Sequence, residues 1–327
     1  MASLSNLMLL TVTNLNVTPH LYFNPVFNHP KIMQKTIHTL IPDIQETLKG
    51  KGWFNKELEQ SFTAEISSRL TSQYSPMSPE RKPALRLSQM GPKCPCALWH
   101  SIHKPELAEP LPPWAEFKYS FGHIIEGLAI GLAKASGHTV LGEQDELSVD
   151  DVVGNRDCVI DGYIVDVKST SSRSFIKFKD GSLAQSDSFG YLDQLDGYLL
   201  ASANDPIVKY KDVGYLLAID KQLGHMCLYE HRLRRTLDGR CKINERIANY
   251  KRIVEQLSPP ACNCETVADG KSGNIKLGLI ASYNPYKYCC FPNLRTFLYA
   301  SGPVYLTKVV RTPDVTEVDK FGKIVYH

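Results

Sequence analysis

Three charged residues in mid-chain have the types and spacing to do chemistry: Asp157, Asp166 and Lys168, within GNRDCVIDGYIVDVKST, residues 154–170. Asp161-Gly162 separates two β-favouring runs and predicts a two-residue hairpin turn, because both turn positions need positive φ. With those two residues as the loop, Ile160 faces Tyr163, Val159 faces Ile164 and Cys158 faces Val165, so Asp157 falls opposite Asp166. Directly opposed residues have β-carbons about 4.5–5.5 Å apart, and like charges there repel unless something neutralises them. A divalent cation would. Period-two alternation puts Lys168 on the face of Asp166, while Val165 and Val167 point the other way into a core. The same spacing also suits a strand whose outer, solvent-facing side is simply charged.

Elements able to position such a hairpin lie on both sides of it. Upstream, AEFKYSFGHIIEGLAIGLAKASGH carries Ile124, Ile125, Leu128, Leu132 and Ala133 at helical spacing, with Gly137 as a stop, and this helix can deliver Glu126 as a third carboxylate. Strands are predicted across TVLGEQDEL, DCVI and YIVDVKS, then a helix across YLDQLDGYLLAS and a hairpin across VGYLLAIDKQLGHMCLYEH. A long polar helix across RLRRTLDGRCKINERIANYKRIVEQL and a late strand at PVYLTKVV follow. Before residue 85, two helices are expected in KIMQKTIHTLIPDIQETLKG and, from an Asn cap, in NKELEQSFTAEISSRLTSQ. SPMSPERKP, with three prolines, marks the boundary. No internal repeat is evident.

Composition fixes the class and little more. With 327 residues, 43% hydrophobic and 22% charged, the chain reads as an ordinary globular protein, and a formal charge of +3 is too small to announce a nucleic-acid partner by itself. MASLSNLMLL lacks a basic region ahead of its apolar residues and no stretch reaches membrane-spanning length, so a cytoplasmic location without membrane contact is expected. Nine cysteines are too sparse for a disulfide scaffold.

Taken together, FGHIIEGLA, GNRDCVIDGYIVDVKS and QLDGY resemble the PD-(D/E)XK nucleases of the RecB-like branch, most nearly its phage-encoded exonucleases. The resemblance implies a restriction-endonuclease-like α/β core, ordered α-β-β-β-α-β with a central mixed sheet flanked by helices. It assigns Asp157 to the second motif, Asp166 and Lys168 to the D-x-K, Glu126 to the upstream helical ligand where many relatives carry His, and Gln194 and Tyr198 to the Q-x-x-x-Y motif. Hydrolysis of a phosphodiester needs an activated water and charge stabilisation, and Mg²⁺, with Mn²⁺ as substitute, suits Glu126, Asp157, Asp166 and the backbone carbonyl of Val167. Lys168 is expected to orient and stabilise rather than to abstract a proton. Downstream, STSSRSFIKFKDGS reads as a DNA-holding loop, with Arg173, Lys177 and Lys179 for phosphates and Phe175 and Phe178 for base stacking; a plain solvated basic loop is the other reading. His123 is given no catalytic role.

Some RecB-like relatives carry a four-cysteine iron–sulfur site, with one ligand upstream of the core and three near its end. Cys94 and Cys290 occupy the outer positions here, but Ala281 and Asn284 stand where the intermediate cysteines belong. Unless Cys262, Cys264 or Cys289 substitutes from a different spacing, no cluster is expected, and C-N-C and C-C are poor zinc spacings as well. The expectation is a site reduced to ordinary packing, with Cys94 and Cys290 still close together.

The sequence therefore predicts an N-terminal helical region and linker over 1–85, a nuclease domain over 86–310 and a tail over 311–327. It predicts a Mg²⁺-dependent deoxyribonuclease, exonuclease in preference to endonuclease, acting on DNA in phage replication or recombination. A single-strand-binding or recombination protein is a further expected partner. A catalytically silent DNA-end-binding module and a small phosphate-ester hydrolase are the alternatives.

Overall fold

The structure, a computed structural model, describes residues 35–50, 54–74 and 83–326; the first ten residues and the stretch 75–82 of the proline-rich boundary lie outside it. Helix α1 (Leu40–Lys49), entered through a 3₁₀ turn, buries Ile37, Leu40 and Ile44. Helix α2 (Lys56–Tyr74) starts where its cap was expected, with Asn55 Oδ1 accepting the Leu58 N–H at 2.9 Å. After α3 (Pro95–His103) comes α4 (Pro113–Ala135), which stops before Gly137 at φ +86°. The inward face of α4 is rotated from the predicted one. Leu132 and Ala133 are buried as expected, but Ile124 and Leu128 are exposed, and Gly127, Ala129 and Ile130 take the inner positions. Gly127 lets the backbone approach α2, since a β-carbon there would crowd Ile66.

Strand β1 (Val140–Leu141) is shorter than TVLGEQDEL suggests, because left-handed turns at Gly142 and Gln144 break the run; the remainder pairs as a hairpin of β2 (Glu146–Val149) and β3 (Val152–Asn155). Strands β4 (Cys158–Ile160) and β5 (Tyr163–Thr170) then form the central hairpin in the predicted register, Cys158 to Val165, Val159 to Ile164 and Ile160 to Tyr163. Asp161 and Gly162 have φ of +52° and +90°, as a two-residue turn of this hand requires. Helices α5 (Ser172–Lys179), α6 (Leu183–Ser186) and α7 (Tyr191–Ala201) make the crossover to β6 (Val213–Asp220), parallel to β5, and β7 (Met226–Arg232) returns antiparallel. The sheet order is β1-β4-β5-β6-β7, mixed and covered by helices on both faces. Together with α4 and α7 this is the α/β core that the sequence predicted.

Two hydrophobic cores lie against the sheet. On one face Ile37, Leu40, Ile44, Ala129, Ile130 and Ala133 meet Val165, Val167 and Leu217; on the other Phe175, Phe178, Leu192 and Leu195 meet Val159, Ile164 and Leu216. Residues 35–49 thus share a core with the central strands. Helix α8 (Lys242–Val254) is half the length predicted, because the chain turns at Gly239 (φ +84°) and bridges Arg235 to Cys241 before the helix begins.

A second sheet closes the chain. It contains β8 (Thr266–Ala268), β9 (Ile275–Leu277), β10 (Arg295–Tyr299), β11 (Gly302–Lys308) and β12 (Glu317–Val318), with the short helices α9 (Leu279–Ser282) and α10 (Lys287–Cys290) between its strands. All its pairs are antiparallel, in the order β12-β10-β11-β9-β8, and only the segment of β11 was anticipated. Among the described residues no helix is long and apolar enough to cross a membrane.

Gly190 enters α7 at φ +75°, and any β-carbon on it would collide with the Gly91 backbone. Gly190→Ala is therefore expected to destabilise the protein by roughly 2 kcal/mol or more, combining left-handed strain with a backbone clash. Chemical denaturation should show this, whereas Gly181→Ala, also at positive φ but with open space around it, should cost only about 1–2 kcal/mol.

Candidate active site

The hairpin delivers Asp166 from β5 and Asp157 from the residue before β4. Asp157 Oδ2 accepts the Val167 N–H at 2.7 Å, which clamps the two strands at the point where the acids face each other. Arg156, 1% exposed, holds this end of the hairpin from behind, with its guanidinium 2.5 Å from both Asp145 and Asp205. Val167 thus contributes its N–H to the site; its side chain is in the core, as predicted.

Glu126 reaches the same place from α4. Its Oε2 pairs with Arg69 of α2 at 2.6 Å and its Oε1 accepts from Gln144 at 2.9 Å. Arg69 also pairs with Glu65 at 2.5 Å and is 8% exposed, so a buried guanidinium stands beside the acids from a segment the sequence reading left as an accessory region. Burial raises the Glu126 carboxyl above the usual carboxylate range against the pull of Arg69, and Asp166 adds to the rise. Burial pushes Asp157 up to about 7, reinforced by the charge of Glu126 and opposed by Lys168. Asp166 also rises to about 7 through burial, with Lys168 lowering it and Asp157 raising it. The three acids are short of positive charge.

Lys168 lies with its Nζ 2.6 Å from Asp166 Oδ2, an ion pair between a half-buried lysine and a buried acid. Burial alone would lower the lysine, but the charges of Asp166 and Asp157 more than offset it, so the ammonium is held firmly protonated. Beyond that ion pair Asp166 Oδ2 has no further hydrogen-bond partner among the described residues. Gln194 on α7 ties the group together, accepting from Lys168 at 3.2 Å and donating to Asp166 Oδ1 at 3.3 Å and to the Tyr198 hydroxyl at 2.8 Å. The structure therefore brings Glu126, Asp157, Asp166, Lys168, Gln194 and Tyr198 into one constellation. Chemically, a cluster of three carboxyls short of positive charge fits a hard divalent cation, and the fixed ammonium fits an anionic group beside it.

The segment after β5 differs from the loop predicted. It is α5, capped by Ser171, and its amphipathic spacing buries Phe175 and Phe178 in the core, so neither is available to stack on a base. Arg173 and Lys179 are exposed, whereas Lys177 is half-buried and donates to the Ser186 carbonyl at 3.2 Å. The aromatic surface beside the site is elsewhere. Lys168 Nζ sits 4.9 Å from the centre of the Tyr191 ring; Phe189 stacks on Tyr191 at 5.8 Å and meets Tyr283 edge-on at 6.0 Å. Phe189 and Tyr283 are exposed and line a 570 Å³ cleft with Lys93, Asn263 and Tyr286.

That cleft borders a second cluster. Cys94 and Cys290 are 3.7 Å apart, as expected, but they do not stand alone: Cys262 lies 3.3 Å from Cys94, and Cys264 lies 3.6 Å from Cys262 and 3.8 Å from Cys290. The expectation of a site reduced to two thiols and packing is thus corrected. Cys262 and Cys264 arrive from the irregular segment before β8, a spacing set aside in the sequence because C-N-C is short. Asn284, where a ligand was expected, instead donates from Nδ2 to the sulfurs of Cys264 and Cys290 at 3.5 Å each. Hydrogen bonds from the Cys264 and Cys290 thiols push the Cys94 thiol strongly down.

No protein-family model matches the chain, and no curated protein matches it. Among solved structures, it is similar to SSO0001 at 15% identity and a TM-score of 0.34, over 62% of this chain and 87% of that one. It is also similar to an alkaline exonuclease, LHK-Exo, from Laribacter hongkongensis, at 11% identity and a TM-score of 0.29, over 60% of this chain and 92% of that one.

The raised carboxyls make a stability prediction with a definite sign. A folded-state pKa above the unfolded value contributes stability below about pH 4 that is lost as pH rises through about 7. Asp157→Asn removes one charge, keeps an acceptor for the Val167 N–H and leaves the Asp166–Lys168 pair intact. In buffer without added divalent metal this variant should melt a few degrees above the wild type at pH 8, and the gap should close by about pH 5. Equal melting temperatures at pH 8, or a less stable variant, would contradict the charge repulsion assigned to the hairpin.

Proposed function

We propose that the protein is a metal-dependent DNA nuclease. The observation that carries this reading is the convergence of three carboxyls that all titrate high, Glu126, Asp157 and Asp166, beside the ion-paired Lys168. The order of those residues along the chain, matching the motifs of RecB-like nucleases, supports the same reading. Its preference for DNA ends and its place in phage replication or recombination rest on that resemblance.

In this reading Glu126, Asp157 and Asp166 would hold Mg²⁺, or Mn²⁺ in its place. When bound, the ion acidifies water and neutralises phosphate charge at neutral pH. Lys168 remains protonated beside Asp166 and so acts as a fixed cation, directing the nonbridging oxygens and orienting water rather than taking its proton. Gln194 restrains the lysine and is itself restrained by Tyr198, so neither needs to touch the phosphate to matter. Arg173 and Lys179, with Lys177 behind them, would meet the backbone of the DNA, which positions the duplex or strand without reading its sequence.

The run from half-buried Tyr191 to the exposed rings of Phe189 and Tyr283 supports an unpaired strand leaving the site. Base–aromatic stacking is worth about 1–3 kcal/mol per base and tolerates any sequence. This replaces Phe175 and Phe178, which are in the core, as the stacking surface.

Three outcomes test the proposal. With Mg²⁺ and end-labelled linear DNA beside closed circles, the wild type should shorten the linear substrates, and Asp166→Asn and Lys168→Ala should each lower the rate by at least about 10³-fold with an unchanged far-UV spectrum; full activity in either variant would sink the assignment. Neutralising Arg173, Lys177 and Lys179 together should weaken binding to unrelated sequences alike and flatten the salt dependence. Phe189→Ala should weaken binding of a single-stranded oligonucleotide about tenfold while barely changing that of a blunt duplex.

A further inference from the structure

We propose that Cys94, Cys262, Cys264 and Cys290 hold a single tetrahedral metal ion, Zn²⁺, which staples the C-terminal sheet to the start of α3. The proposal is independent of the nuclease reading. All four sulfurs lie within 4.8 Å of one another, and the four separations along the ring are 3.3, 3.7, 3.8 and 3.6 Å. Four thiolates about 2.3 Å from one central ion stand about 3.8 Å apart, the edge of a tetrahedron with those arms. A cubane instead places each thiolate on its own iron outside a metal–sulfide core, so its four sulfurs must stand farther apart than ligands sharing one ion. The iron–sulfur centre of some RecB-like relatives therefore does not fit these residues.

The surroundings suit a zinc–thiolate centre. Four thiolates around one divalent cation leave a net negative charge, and Asn284 offers its amide protons to two of the sulfurs, as outer partners of metal-bound sulfur do. Ala281 and Asn284, the two positions that lack thiols, are thus accounted for: one packs in the small core and the other donates to the ligands. A cross-link from α3 to the segments at 262–264 and 290 would tie the small core of Leu277, Ala281 and Leu294, on one side of the sheet, to the main body.

The test uses the full chain, purified without added chelator. Metal analysis should find about one zinc per chain, X-ray absorption should find sulfur neighbours at about 2.3 Å, and the preparation should be colourless. Protein stripped of metal should take up one Co²⁺ and develop the absorption of a tetrahedral cobalt–thiolate site. Cys262→Ser should lose the stoichiometric metal, and Cys289→Ser, one residue from a ligand but outside the quartet, should keep it. Should Cys262→Ser prove insoluble, the Co²⁺ titration of the wild type decides. A brown anaerobic preparation with about four irons per chain, stripped protein that takes up no Co²⁺, or equal metal loss in Cys289→Ser would each overturn the proposal.

Discussion

Everything at the candidate active site follows from a two-residue turn that forces two acids together where water is scarce. Asp161 and Gly162 accept positive φ, the register that follows sets Asp157 against Asp166, and the helices on both faces bury the pair. Burying one carboxylate is costly and burying two side by side more so, unless cations or strong donors repay part of that cost. The surrounding structure can be read as a set of partial repayments: the Val167 N–H for Asp157, Lys168 for Asp166 and Arg69 for Glu126. The repayment is incomplete, which is why all three carboxyls titrate high. A site stabilised to completion by its own side chains would have little affinity left for a cation.

Much of this was legible in the sequence, for a physical reason. The hairpin is specified by the local backbone needs of an Asp-Gly pair, and period two then distributes Asp166 and Lys168 to one face and Val165 and Val167 to the other. Helices α4 and α7 carry their own periodicity and stops. Arg69 was not legible, because it acts through a tertiary contact between α2 and α4 that no local pattern announces. Phe175 and Phe178 were misread for the opposite reason: a spacing of three looks like aromatics interleaved with lysines in an extended loop, but on a helix it marks one buried face. The predicted face of α4 was displaced because the close approach of α2 at Gly127, rather than a large apolar residue, decides which side of α4 is covered.

The cysteines show a different limit. Ligand spacing along the chain is a rule about segments that bind with two residues from one turn, and it says nothing about ligands gathered from three separate segments. Cys262 and Cys264 look unpromising as a pair, yet with one residue between them both sulfurs reach one centre while Asn263 lines the neighbouring cleft. The sequence contained the residues; the fold supplies the geometry.

The two centres are also joined by a short piece of unyielding backbone. Cys94 lies three residues beyond Gly91, Gly91 touches Gly190 without room for a side chain, and the Gly190 carbonyl accepts the Gln194 N–H at 3.0 Å. Asp187 fixes the same corner by accepting the N–H groups of Gly190, Tyr191 and Leu192. The start of α7 is thus pinned from two sides, and with it the side chains that hold Lys168 against Asp166. Since Gln194 can restrain the lysine of β5 only from a helix that does not slide, the glycine contact and the cysteine quartet are best understood as parts of the same support. One fixes where α7 begins, and the other fixes the segment against which it is fixed.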